Sequence, residues 1–141
     1  MSITKLPMHL EDKGFLVVME NAGAPPFSIA RVFMVQAGKN VVRGRHAHKL
    51  CSQFLVCSSG EALVTCADGD ETVEFLLNKP SMGLLIPPGI WSEQLYLTEN
   101  TVLTVLCDRV YEAEDYIREY SDFLKFRKSL ETMNGTNTGE V

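Results

Sequence analysis

Apolar positions along this chain come in short runs, broken every few residues by Gly, Pro, Asn or Asp. Runs of this kind, rich in β-branched and aromatic side chains, read as strands. Gly14 to Met19 is one, entered through a turn at Asp12-Lys13-Gly14, and Ile29 to Val35 is the next. Between them Asn21 to Pro26 holds a glycine and two prolines and reads as a loop, and Gln36 to Asn40 as a turn. Val41 to Cys57 is a strand region, broken once. Glu61 to Ala67 and Thr72 to Leu77 flank Asp68-Gly69-Asp70, a hairpin signal. Met82 to Ile86 stops at Pro87-Pro88-Gly89, and Trp91 to Leu97 and Thr101 to Cys107 complete the series. Many short strands with such punctuation predict a β-sandwich or barrel.

The pattern changes after Glu114. Tyr116, Ile117, Tyr120, Phe123 and Leu124 recur at helical spacing, so one C-terminal helix is expected to Leu130, its apolar stripe a packing face. Residues 133–141 are polar and Gly-containing and read as a disordered tail. Residues 1–132 are then a single all-β domain carrying one helix. At 141 residues the chain is long enough to bury a substantial core.

A net charge of -5 leaves no footprint for nucleic acid. No apolar run approaches the ~20 residues that span a bilayer, and the first residues lack the layout of a signal peptide. Cys51, Cys57, Cys66 and Cys107 show no Cys-x-x-Cys spacing and are expected to be buried, reduced thiols in a cytoplasmic protein.

The candidate chemistry lies between Arg43 and Gly60. His46 and His48 are two residues apart in a strand region, so both point to one face and Ala47 to the other. Arg43, Arg45 and Lys49 make the surroundings locally basic and suit an anionic ligand. His9 has no such context and is read as an ordinary surface residue.

His46-x-His48, Gln53 and Gly60 reproduce the spacing of the first cupin motif, with Gln in place of Glu. Pro87-Pro88-Gly89-Ile90-Trp91-Ser92 reproduces the second, with Ser in place of His. The chain therefore resembles the cupins, whose fold is a jelly roll, or double-stranded β-helix. Metal cupins bind their ion through both histidines, the Glu and the later His. Gln53 offers a neutral carbonyl and Ser92 a neutral hydroxyl, which leaves a divalent ion short of good ligands. No metal and no other cofactor is expected. Imidazoles titrate near neutral pH, so the pair is free to act as acid and base.

Pro26-Phe27-Ser28-Ile29-Ala30-Arg31-Val32, Arg43-Gly44-Arg45-His46-Ala47-His48-Lys49 and Asp115-Tyr116-Ile117-Arg118-Glu119-Tyr120 narrow the resemblance. Over roughly residues 5 to 128 the chain resembles the WxcM-like cupins, sugar 3,4-ketoisomerases that act on dTDP-4-keto-6-deoxyglucose. The resemblance implies that the ketone moves from C4 to C3 through an enediol, in deoxysugar biosynthesis of the kind that serves O-antigen and lipopolysaccharide. It implies catalysis by the paired histidines, with His48 expected as the carbon base and His46 as the group that moves protons between oxygens or polarises the ketone. Arg43 is expected to stabilise the developing oxyanion. Arg31 and Lys49 are candidate partners of the diphosphate. Trp91 is a candidate for stacking or for the core, and Gln53, Ser92 and Lys13 are further substrate-binding candidates. The resemblance also implies a homodimer with exchanged N-terminal strands, hinged near Gly23 to Pro26.

Family members often carry His or Arg where Ser92 stands and a Tyr near Phe33 or Met34, and Lys13 falls at another variable position. The configuration at C4 of the product is therefore open. Three other readings remain: a nucleotide-sugar epimerase, a metal-dependent cupin enzyme, and a non-catalytic nucleotide-sugar-binding cupin.

Overall fold

A computed structural model of the chain describes the backbone of residues 1–138 and the side chains of residues 1–133. Its strands are β1 (Ser2–Lys5), β2 (Met8–Glu11), β3 (Gly14–Val17), β4 (Arg31–Ala37), β5 (Val42–His48), β6 (Gln53–Ser59), β7 (Ala62–Ala67), β8 (Thr72–Leu77), β9 (Met82–Ile86), β10 (Trp91–Tyr96), β11 (Thr101–Cys107) and β12 (Tyr116–Ile117). One helix, α1 (Tyr120–Thr138), closes the chain. The strands form two five-stranded sheets, ordered β1-β9-β6-β11-β4 and β12-β5-β10-β7-β8, and a separate β2-β3 hairpin. Every pairing is antiparallel. This is the expected cupin jelly roll.

The core between the sheets holds Leu55, Cys57, Val64, Leu77, Leu84, Tyr96 and Leu103. Strand β6 explains its own continuous apolar run. Leu55 and Cys57 face this core, while Phe54 and Val56 face outward into a second cluster with Leu6 and Leu106. Val17, Met19, Phe27 and Ile29 of the N-terminal segment cover that cluster. Both faces of the strand are therefore dry. Gly83 lies against the Phe54 ring, where a Cβ would collide. All four cysteines are free and buried.

Two stretches differ from the sequence reading. Met8–Glu11 pairs with Gly14–Val17, so the first residues supply two strands, β1 and β2, that short polar-interrupted runs concealed. The helix does not begin at Glu114. A 3₁₀ turn (Ala113–Asp115) comes first, then β12, whose Tyr116 and Ile117 pair with His48 and Ala47. Sheet pairing overrides the helical spacing there. The helix then runs past Leu130 to Thr138, and residues 139–141 of the expected tail lie outside the described residues. No helix among the described residues is long and apolar enough to cross a membrane.

Candidate active site

A cavity of about 170 Å³ opens between the two sheets. Strand β5 brings Arg43, Gly44 and His46 to its wall; β6 brings Gln53 and Leu55; β4 brings Arg31 and Phe33. Gln94, Tyr96 and Tyr116 complete its polar lining. Among the described residues, the cavity wall carries two guanidinium groups and no carboxylate.

A β-bulge sets the aim of β5. Ser92 pairs with His46 but Glu93 pairs with Gly44, so Arg45 is the extra residue. Gly44 and Arg45 take φ of 85° and 59°, the left-handed region. Simple alternation cannot place residues three apart on one face. The bulge does so, and Arg43 joins His46 in the cavity. Arg43 is also exposed, which puts it at the cavity mouth.

The two imidazoles meet edge to face with centroids 5.1 Å apart. His46 is on the cavity wall. His48 lies behind it, 7% exposed, and its Nδ1 bonds Asp115 Oδ2 at 2.8 Å. Asp115 is itself buried, with the Leu50 N–H donating to its other oxygen at 2.6 Å. Backbone bonds clamp this layer: Lys49 N–H donates to the Asp115 carbonyl at 3.0 Å and Gly89 N–H to the His48 carbonyl at 2.7 Å. The Tyr116 ring covers the pair, 4.4 Å from the His48 centroid and 5.2 Å from that of His46.

Burial, then the neighbouring His48 and more weakly Arg118, push the His46 pKa down to about 4. Burial also lowers that of His48, against the opposing pull of Asp115. Burial raises the Asp115 carboxyl, but the bonds from His48 and from the Leu50 and Cys51 N–H groups outweigh it and hold it low. Near neutral pH Asp115 is thus ionised and both rings are neutral. The Nδ1–H of His48 donates to Asp115, which leaves Nε2 as its acceptor nitrogen. That Nε2 is buried and has no hydrogen-bond partner among the described residues.

The donor set does not fit a cupin metal. Gln53 donates through its amide to Cys107 Sγ at 3.8 Å, and Ser92 Oγ accepts from Gln94 Nε2 at 3.0 Å. One potential ligand atom each from His48, Cys51 and Asp115 lies within 4.8 Å of the others, but the His48 and Asp115 atoms already bond each other.

Of the residues singled out in the sequence, His46, Arg31, Arg43 and Gln53 line the cavity, with His48 directly behind. Arg31 reaches the Tyr116 hydroxyl at 3.4 Å and stacks on Phe33. Ser92 is buried and touches the cavity only through Gln94. Three candidates lie elsewhere. Trp91 faces outward and packs with Ala47, Ile117 and Phe123 beneath α1, because its neighbours Ser92 and Gln94 take the inner face. Lys49 is exposed beside α1. Lys13 is exposed at the tip of the β2-β3 hairpin, away from this cavity.

Asp115, Tyr116 and Gln94 were not picked out from the sequence. Asp115 and Tyr116 stand in a family-like stretch but read there as helix. Gln94 has the signal of alternation, two residues from Ser92.

The family model described as "FdtA: WxcM-like, C-terminal" matches residues 1–128. The chain is 37% identical over 118 residues to the TDP-4-oxo-6-deoxy-alpha-D-glucose-3,4-oxoisomerase of Aneurinibacillus thermoaerophilus, a match covering 83% of this chain and 85% of that protein. Among solved structures, it is similar to a His-to-Asn variant of the 3,4-ketoisomerase QdtA from Thermoanaerobacterium thermosaccharolyticum in complex with TDP-4-keto-6-deoxyglucose. That match has a TM-score of 0.87 and 33% identity and covers 91% of this chain and 94% of that one. A 3,4-ketoisomerase from Helicobacter canadensis matches with a TM-score of 0.86 and 30% identity, over 90% and 96% of the two chains.

Proposed function

The chain belongs to the WxcM-like FdtA family, and on that premise we propose that it is a TDP-sugar 3,4-ketoisomerase, taking TDP-4-keto-6-deoxyglucose to the 3-keto-6-deoxyhexose. The single observation that carries this reading is the cavity-facing imidazole of His46 backed by the His48–Asp115 pair.

The C4 ketone acidifies the hydrogen on C3. A neutral imidazole takes that proton, and the bonding electrons form a C3–C4 double bond with negative charge on O4. The O3 proton passes to O4, and a proton returns to carbon at C4. The ketone is then at C3, and no atom has been gained or lost. We assign the carbon proton to His46, not to His48 as expected from sequence, because His46 faces the cavity and His48 lies behind it. His48, its ring fixed by Asp115, is assigned the part of holding the His46 ring it packs against, and the O3 proton passes to O4 within the enediolate. Arg43 faces the developing oxyanion, where a fixed cation counts for more than in water. Arg31 is assigned to the diphosphate.

The same reading includes a homodimer with exchanged N-terminal strands. The β2-β3 hairpin pairs with no other strand among the described residues, and its Leu10, Phe15 and Leu16 are exposed. An exchanged hairpin would carry Lys13 to the partner's cavity. We place the reaction in the cytoplasm, in keeping with four free thiols.

The test is incubation with TDP-4-keto-6-deoxyglucose in D₂O, followed by NMR. Deuterium at C4 with the ketone at C3 is expected. Deuterium at C3 and C5 with an unmoved ketone would make the protein an epimerase, and binding without exchange would make it a binding module. His46→Asn should slow the reaction ~10² to 10⁴-fold.

A further inference from the structure

Gln94 is an amide on the cavity wall with a built seat. It is 9% exposed, and its Nε2 donates to Ser92 Oγ at 3.0 Å. On the other side the amide lies against Gly44, where a Cβ would collide with it. Gly44 sits in the chain between Arg43 and His46, and Ser92 pairs with His46 across the strands. The amide is therefore held beside the cavity-facing imidazole. One of its two polar ends is committed to Ser92. The other has no partner among the described residues.

The cavity separates two kinds of polar group. Arg31 and Arg43 are charged and suit the diphosphate or a developing oxyanion. The Gln94 amide is neutral, and its unpartnered Oε1 is an acceptor, which matches a sugar hydroxyl and not a dianion. From this placement we infer that Gln94, anchored by Ser92 and admitted by Gly44, is a sugar-positioning residue whose Oε1 accepts a hydrogen bond from a hydroxyl of the keto-sugar. Ser92, too small to reach the ring itself, acts through Gln94. The inference rests on the isomerase reading for the identity of the sugar.

Two ligands separate the sugar contact from general damage to the site: TDP alone and TDP-4-keto-6-deoxyglucose. Binding is measured by calorimetry in the His46→Asn background, which slows turnover of the sugar. Gln94→Met preserves length and removes both polar ends. It should weaken the keto-sugar nucleotide about tenfold, the range of one lost hydrogen bond, while TDP affinity changes less than about twofold. Ser92→Ala frees the amide without removing it, and should show a smaller loss with the same selectivity. The double variant should lose no more than Gln94→Met alone, because the two residues act as one unit. Equal weakening of both ligands, no weakening of either, or additive losses would overturn the inference. Sugar-selective losses alongside a wild-type protein that leaves the ketone unmoved would sink the isomerase reading and leave Gln94 as the sugar contact.

Discussion

A buried imidazole next to a second imidazole sheds its proton easily, and here that shapes both activity and stability. The His46 pKa lies at about 4, lowered by burial and by His48, against 6.5 for a free ring. Between those values the unfolded chain binds a proton that the folded chain does not. Stability therefore falls as pH drops from 6.5 toward 4, by about 3 kcal/mol in all. Replacing His46 with Asn should flatten that fall, read as urea midpoints at several pH values; an unchanged slope would show the ring to be solvated. The acid limb of kcat/KM should correspondingly lie well below 6.5. Asp115 is a positioning residue for the same pair. Asp115→Asn keeps the size but removes the charge that favours the Nδ1–H tautomer of His48, and should lower kcat about 10²-fold with KM little changed. Steady-state rates at fixed pH check it.

The elements carry these residues by departing from regular geometry at two places. At Gly44 and Arg45 the bulge breaks the alternation of β5, so that Arg43 and His46 share the cavity. Gly44→Ala meets two obstacles, a φ of 85° and the Gln94 amide. It should cost about 1–3 kcal/mol of stability and reduce activity, measured by urea unfolding and turnover. A variant as stable and active as the wild type would mean that the bulge is dispensable. The second departure is at Asp115-Tyr116, which alternation and helical spacing alike misread. Tyr116 pairs with His48, and that pairing turns Asp115 under the imidazole. Trp91 shows the converse: its strand was legible, its face was not. Packed under α1 with Phe123, it should tolerate Trp91→Phe with no change in KM, whereas a stacking role predicts a clear rise.

Across the whole molecule, apolar side chains are left exposed on the hairpin and on strand β4. Strand β4 is the free edge of its sheet, with Val32 and Met34 exposed on its outer face. The hairpin's Leu10 is 79% exposed and Met34 71%. Long edges with apolar side chains are normally covered. The proposed dimer would cover this apolar surface. Leu10→Asp with Met34→Lys should shift the protein toward monomer in sedimentation, while the isolated jelly roll stays folded. A monomeric wild type would overturn the dimer. The two five-stranded sheets themselves bury their own core and need no partner for it.

Turn residues and the period-two runs determined on their own where most strands lie, because breakers and alternation act over a few residues. The spacing of His46, His48, Gln53 and the Pro87–Ser92 stretch carried the resemblance to the cupins, and that resemblance implied the fold and the class of chemistry. Only the tertiary structure decided which imidazole faces the cavity, that Asp115 stands behind the other, that Gln94 sits beside them and that Trp91 and Lys49 do not. Each of those depends on pairing between strands far apart in the chain and on a one-residue bulge, and a one-residue step in a strand sends a side chain to the opposite face.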